Sequence, residues 1–326
     1  MKYDMITMGG ATEDITFYTG EGTLINNKKD LTRQKLLAFE YGAKIKIDKS
    51  FFGFGGGAAN AAVCFARLGF KSACLCAIGQ DDRGRKILDN FKQQGVSAEL
   101  TQIIKNKETG FSFLLVGRDN EHICFSNRAA NDDLKITNRE LQIIENADWL
   151  YLTSLSGDWR ENLEKIFRVK NVKIAWNPGH RQIIAGIKVL SGYLKLANCL
   201  IVNQDEAIEL VMSDKKYKKA GAQFLNNQKN LLDALAGFGS EIIVMTSGRQ
   251  GAYALAGGKV YRQSIIKEKQ RVDTTGIGDA FGSSFIAGLK LYGGDIKKSL
   301  LLAAKNSAAE IGQQGAQNGL LSRKDL

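Results

Sequence analysis

Residues 271–289 read Arg271-Val-Asp-Thr-Thr-Gly-Ile-Gly-Asp-Ala-Phe281-Gly-Ser-Ser-Phe-Ile-Ala-Gly-Leu289. The stretch opens polar, passes two glycines, and then places Phe281, Phe285, Ile286 and Leu289 at helical spacing until Gly293-Gly294 ends the run. A helix N-terminus is therefore expected between Gly276 and Asp279. The first backbone N–H groups of a helix have no intrahelical partner and the dipole there is positive. Gly276 and Gly278 let an anion approach the main chain closely, and Ile277 still offers its N–H. The pattern fits a pocket for a phosphate, or for the charge on a phosphoryl group in transfer. Asp279 within it has two readings: a base for an attacking hydroxyl, or an ordinary capping carboxylate.

Composition bounds the alternatives. The chain has 326 residues, 44% of them hydrophobic, with 35 glycines and one proline, Pro178. That is enough to bury a sizeable core in one large unit. No run of 18 apolar residues suggests a membrane span. The N-terminus lacks a basic segment followed by a long apolar one, so a cytoplasmic protein without a signal peptide is expected. The five cysteines and two histidines lack metal-ligand spacing, and buried free thiols are expected. The net charge of +11 is spread, as in Lys28-Lys29, Lys215-Lys216 and Lys297-Lys298, without a basic helix interleaved with aromatics. This favours anionic small-molecule ligands or a solvated surface over nucleic acid.

Outward from residue 271 the chain reads as alternating strands and helices. Tyr3–Met8 is a short apolar strand closed by Gly9-Gly10 with Asp14 beyond, as at the carboxyl edge of a parallel sheet. Asp14 can accept from hydroxyls, or serve as a turn residue. Leu31–Phe39 reads as a helical run, and Ala43–Asp48 alternates as a strand; with Thr109–Val116 and His122–Phe125 it would form a small sheet beside the main body. Gly53 to Gly69 is a glycine-rich turn leading into an Ala-rich helix. Ser72–Ile78 reads as one strand, and Asp81 caps the helix after it. From Trp149–Thr153 through Asp158–Val169, Val172–Trp176, Cys199–Val202 and Gln204–Met212 to Ile242–Met245, strands alternate with helices. That order implies a parallel sheet covered on both faces. Asn203-Gln-Asp-Glu206 matches a capping box after a buried strand.

Asp273-Thr-Thr-Gly-Ile-Gly-Asp279-Ala-Phe281 resembles the C-terminal signature of the ribokinase-like (PfkB) carbohydrate and nucleoside kinases, with Ile277 where the family usually has Ala. Gly56, Gly57 and Asn60 resemble their N-terminal signature, Gly-Gly-x-x-x-Asn. Asn203 and Glu206 resemble their Asn-x-x-Glu motif, and Thr246-Ser-Gly248-Arg-Gln-Gly251 their nucleotide loop. The resemblance runs the length of the chain in family order. It implies a Rossmann-type α/β sandwich over 1–326, with a mostly parallel sheet, helices on both faces, and a β-sheet lid from about 13–50 and 109–128.

It also implies roles. Asp279 would be the base, with Gly276, Ile277 and Gly278 in the anion hole, and Asp14, Gly56, Gly57 and Asn60 would hold the acceptor. Thr246, Gly248, Gly251 and Asn306 would lie against ATP, with Arg249 beside them, and Asn203 with Glu206 would support Mg²⁺ through water. Asp273 and Thr275, with the loop at Gly315-Ala-Gln317, would hold K⁺ in some members. The implied activity is ATP-dependent phosphorylation of a small sugar, with a homodimer formed through the lid. Phe17, Phe51, Phe52 and Phe54 keep a nucleoside acceptor open, and Arg128 and Arg181 a sugar phosphate. A non-catalytic ligand sensor on the same scaffold is the alternative of another class. A dehydrogenase does not fit, because no Gly-x-Gly-x-x-Gly follows the first strand.

Overall fold

A computed structural model describes residues 2–26, 35–117 and 122–326. β1 (Met5–Met8) lies inside the main sheet, and the chain turns through Gly9–Ala11 into β2 (Thr12–Tyr18) of a second sheet. A hairpin of β3 (Thr23–Asn26) and β4 (Lys35–Ala38) precedes β5 (Lys49–Gly55), which returns to pair with β2. α1 (Gly57–Arg67) leads to β6 (Ser72–Leu75), beside β1. α2 (Asp82–Gln94) joins the paired strands β7 (Ala77–Gly79) and β8 (Gln102–Ile104). β9 (Phe111–Val116) and β10 (His122–Asn127) complete the second sheet, in the order β10-β9-β2-β5.

The rest of the chain extends the main sheet through β11 (Trp149–Leu152), β12 (Lys173–Trp176), β13 (Cys199–Asn203), β14 (Ile242–Thr246), β15 (Ala252–Ala256) and β16 (Lys259–Gln263). Between and after them lie α3 (Asn138–Glu145), α4 (Trp159–Ile166), α5 (His180–Ala185), α6 (Ile187–Leu194), α7 (Gln204–Met212), α8 (Ala222–Leu225), α9 (Gln228–Ala236), α10 (Ile277–Leu291) and α11 (Ile296–Ile311). The eight-stranded order is β16-β15-β14-β13-β12-β11-β1-β6. It is parallel from β6 to β14, while β15 and β16 are antiparallel additions.

Side chains of a strand alternate between faces, and both faces are covered. In β11, Leu150 and Leu152 enter one buried cluster while Trp149 and Tyr151 enter the other; β1 splits Ile6 and Met8 from Met5 likewise. α1 and α10 pack together on the second face, and Gly282 leaves room there for the Tyr151 hydroxyl. The same small residues bring the two helix starts close together at one end of the sheet.

Several expectations are corrected. Residues 31–34 of the expected Leu31–Phe39 helix lie outside the described residues, and Lys35–Ala38 is a strand. Ala43–Asp48 is irregular: Thr19 Oγ1 bonds the Lys46 carbonyl and the Asp48 carboxylate takes the Gly20 N–H, so side chains replace a ladder and the strand starts at Lys49. Ser72–Ile78 divides between two sheets at Cys76, whose carbonyl accepts the Gln102 N–H. Asp81 caps α2 as expected, through the Gly84 N–H, and also binds Thr109. Cys124 is exposed, while the other four thiols are buried and all five are free. Among the described residues no helix is long and apolar enough to cross a membrane.

Candidate active site

The site is built on close backbone contacts at the carboxyl end of the main sheet. The Gly10 carbonyl accepts the N–H groups of Ala58 and Ala59, which seats the first turn of α1 on the loop after β1. Gly56 holds φ at 88°, and a Cβ there would lie 2.7 Å from the Ala11 Cα. Glycine is required on both counts. Asn131 brackets Ala11 with two bonds of 3.0 Å, which fixes the chain where it passes into the second sheet.

α10 begins at Gly276, a left-handed N-cap residue without a side-chain cap. A Cβ on Gly276 would stand 2.9 Å from the Ala316 Cα. Asp279 is half-buried in the first turn, and its carboxylate accepts from Asn60 Nδ2 at 2.8 Å. The capping reading of Asp279 is therefore set aside, since Gly276 is the cap and the carboxylate is turned to α1. Burial pushes the Asp279 pKa up; the Asn60 hydrogen bond opposes this, and the charge of Asp14 adds to it.

Asp14 comes from β2, where it faces Gly53 on one side and Ser112 on the other. Thr12 Oγ1 donates to it at 2.9 Å. Burial raises its pKa, the Thr12 and Ser112 hydroxyls lower it, Asp273 raises it, and Arg128 lowers it. Arg128 thus lies near the one acid the sequence linked to hydroxyl binding. Gly57 completes the approach: a Cβ there would meet Thr153 Cβ at 3.0 Å and Asp279 Oδ1 at 3.1 Å.

Across the start of α10 lies a cavity of about 220 Å³. Thr246, Gly248, Arg249 and Gly251 line it, together with Ile277, Gly278 and Phe281 of α10. Much of the rest of the wall was not foreseen: Ile265, Ile266 and the paired Glu268 and Arg271 from the segment before α10, and Ala304, Ser307, Ala308 and Ile311 from α11. The α11 set falls at i, i+3, i+4 and i+7, one helical face, a signal present in the sequence. Asn306 is on the other face. It is fully buried, donates from Nδ2 to Ser284 Oγ at 2.6 Å and accepts the Leu321 N–H at 2.8 Å. Its expected contact with nucleotide is corrected: it ties the C-terminal segment to the core.

Asn203 and Glu206 form the capping box, each side chain bonding the other's backbone N–H at 2.8 Å. Asn203 is in register with Thr246, so the box sits beside the cavity loop. Burial raises the Glu206 pKa, the Asn203 N–H lowers it, and Asp205 and Glu209 raise it. Asp273 accepts the N–H groups of Thr275 and Gly315, both at 2.9 Å, joining the start of α10 to the loop after α11. Among the described residues no three His, Cys, Asp or Glu side chains form a metal-ligand cluster.

A half-buried carboxylate at a glycine-softened helix start, between a cavity and the second sheet, suits phosphoryl transfer. The sequence profile described as pfkB family carbohydrate kinase matches residues 28–323, and the chain belongs to that family of phosphotransferases acting on alcohol groups. It is 28% identical to a ribokinase of Haemophilus influenzae, over 83% of this chain and 85% of that one. It is also 28% identical to an ATP-dependent ribose-1-phosphate kinase of Halopiger xanaduensis, over 81% and 82%. Arabidopsis thaliana ribokinase complexed with ribose and ATP shares the fold, with a TM-score of 0.80 at 20% identity over 99% and 97% of the chains. So does a Burkholderia thailandensis nucleoside kinase in complex with inosine, with a TM-score of 0.78 at 18% identity over 98% and 95%.

Proposed function

We propose that this chain, as a single kinase unit, moves the γ-phosphoryl of ATP to a hydroxyl of a small sugar, with Asp279 as general base. The observation that carries this reading is the place of Asp279: at the start of α10, with Ile277 and Gly278 on the cavity and Asn60 and Asp14 on the lid side. Adenine occupies the apolar slot between Ile265, Ile266 and α11. The phosphates run past Thr246, Gly248 and Gly251 toward α10, and Arg249 supplies positive charge along that wall, where Arg271 is paired with Glu268.

Asp14, Gly56, Gly57 and Asn60 hold the acceptor's hydroxyls. Asp279 takes the proton of the attacking hydroxyl as its oxygen bonds to phosphorus and the bond to the ADP oxygen breaks. The N–H groups of Gly276 to Asp279 face the charge on the moving group. A carboxylate raised above its ordinary pKa is a better proton acceptor near neutrality. The second sheet excludes water that would otherwise hydrolyse ATP.

The donor set beside the cavity loop fits Mg²⁺. Glu206 stands next to Asp205 and Glu209, an excess of negative charge that a hydrated dication relieves. When bound, Mg²⁺ neutralises charge on the phosphate oxygens. Asp273 and Thr275 fit a K⁺ site in the same sense, because Glu310 is a further acid close by, 1% exposed with neither carboxylate oxygen hydrogen-bonded. Exposed Phe52, Phe125 and Ile123 share one face of the second sheet by register, which supports a homodimer through the lid.

A nucleoside acceptor is the second reading. Phe51, on the Asp14 face of the lid, packs its ring against Gly315 beside the site, where a base could stack.

The test is ADP release over a panel of sugars, nucleosides and sugar phosphates, with Asp279→Asn as control. That variant is expected to fold and bind ATP as the parent does while losing at least ~10²-fold in kcat. Near-parental turnover would remove Asp279 from the role.

A further inference from the structure

Asp279 ends a chain of three side-chain amides. Asn60 Nδ2 donates to its carboxylate at 2.8 Å. Gln317 Nε2 donates to Asn60 Oδ1 at 2.9 Å, and Asn90 Nδ2 donates to Gln317 Oε1 at 2.9 Å. Asn60, Gln317 and Asn90 are all buried, and they come from α1, the loop after α11, and α2. Only one set of amide orientations satisfies every link. An ionised carboxylate accepts only, so Asn60 must present nitrogen to Asp279 and oxygen to Gln317; Gln317 must then present nitrogen to Asn60 and oxygen to Asn90.

We propose that Gln317 is a positioning residue for the transfer reaction: through Asn60 it keeps an N–H donor on the Asp279 carboxylate. The inference rests on the reading of Asp279 as the base. Without Gln317 the buried Asn60 oxygen loses its donor, so the amide is pinned only at its Asp279 end and can turn off the carboxylate in search of another partner. An amide turned away leaves the Asp279 carboxylate short of a hydrogen-bond donor. The donor favours the charged, proton-accepting form of Asp279 against the cost of burial, so its loss shifts the base toward its protonated form.

The loop that carries Gln317 is itself held from several sides. Gln314 Nε2 donates to the Tyr18 hydroxyl of the lid at 2.7 Å, the Gly315 N–H reaches Asp273, and Arg67 binds the Leu320 carbonyl at 3.1 Å. The amide is therefore presented from a fixed backbone, as a supporting residue must be.

The experiment is a pH profile of kcat and kcat/KM for Gln317→Leu, Asn90→Leu and the double variant, using the acceptor found in the panel. ATP affinity by calorimetry and the thermal unfolding midpoint of each protein run alongside. For Gln317→Leu the acid limb moves to higher pH, so kcat falls ~10-fold on the acid side of the limb and recovers above it, with ATP affinity unchanged. Asn90→Leu shifts the limb less, and because the links act in series the double variant matches Gln317→Leu alone. In the free enzyme, the Asp279 resonance of ¹³C-carboxyl-labelled protein, assigned with Asp279→Asn, titrates at higher pH in Gln317→Leu; this needs no turnover. If Gln317→Leu proves too unstable, Gln317→Met replaces it under the same criteria. A parental acid limb and titration in a folded Gln317 variant, or additive effects in the double variant, overturn the inference while the role of Asp279 stands. An active Asp279→Asn overturns both.

Discussion

Asn60 and Asp279, 219 residues apart in the chain, meet at 2.8 Å where the starts of α1 and α10 converge. The contact joins the two glycine signatures into one site. It gives Asn60 a task beside the hydroxyl binding proposed for it: one of its two N–H groups is committed to the Asp279 carboxylate and its oxygen to Gln317, which leaves one N–H for an acceptor.

The two carboxylates of the site are coupled. Asp279 is raised first by burial and further by the charge of Asp14. Asp14→Asn removes that like charge, so the Asp279 pKa falls and the acid limb of kcat/KM moves to lower pH. The limb stays above the ordinary carboxylate range because burial remains. KM for the acceptor rises at the same time. A limb that moves up, or does not move, would separate the two groups.

Gly57→Ala tests the closeness of the site. Its methyl would press on Thr153 and on Asp279 Oδ1 at 3.0 and 3.1 Å, tight but not blocked by φ. The expected result is a folded protein with kcat lowered about 10-fold, roughly 1.4 kcal/mol of transition-state stabilisation. ATP affinity should be parental by calorimetry.

Asn306→Ala separates the core reading from the nucleotide reading. It strands the half-buried Leu321 N–H and leaves the Ser284 hydroxyl with only Cys64 Sγ, at 3.4 Å. A loss of roughly 1–3 kcal/mol in denaturant unfolding is expected, with KM for ATP unchanged. A raised KM at full stability would return Asn306 to the cavity.

Glu310 governs a pH dependence of stability. Burial raises its pKa from 4.5 to about 8, against the pull of Arg67 and of the Gly319 N–H. Between pH 4.5 and about 8 the folded state keeps a proton that the unfolded state releases, so stability falls as pH rises through that window and is level above it. Glu310→Gln removes the slope and stabilises the protein at pH 8, by an amount on the order of a few kcal/mol in potassium-free buffer. Parallel stability curves for parent and variant between pH 5 and 8 would contradict this.

The sequence by itself determined what is local. The helix start at Gly276, the capping box at Asn203 and Glu206, the cap at Asp81 and the strand–helix alternation after Trp149 were legible, because backbone conformation and burial period are written in neighbouring residues. Contacts made across the fold were not. Whether Asn306 faced the cavity or the core depended on the rotation of α11 about its axis, which packing against α10 sets. The irregular Ala43–Asp48 segment had the period of a strand, but side-chain bonds to Thr19 and Gly20 displaced the ladder. The amide chain from Asn90 to Asp279 joins four segments whose sequences carry no sign of one another. Only the convergence of the α1 and α10 starts with the end of α2 and the loop after α11 brings them within hydrogen-bond distance, and that distance is a property of the assembled core.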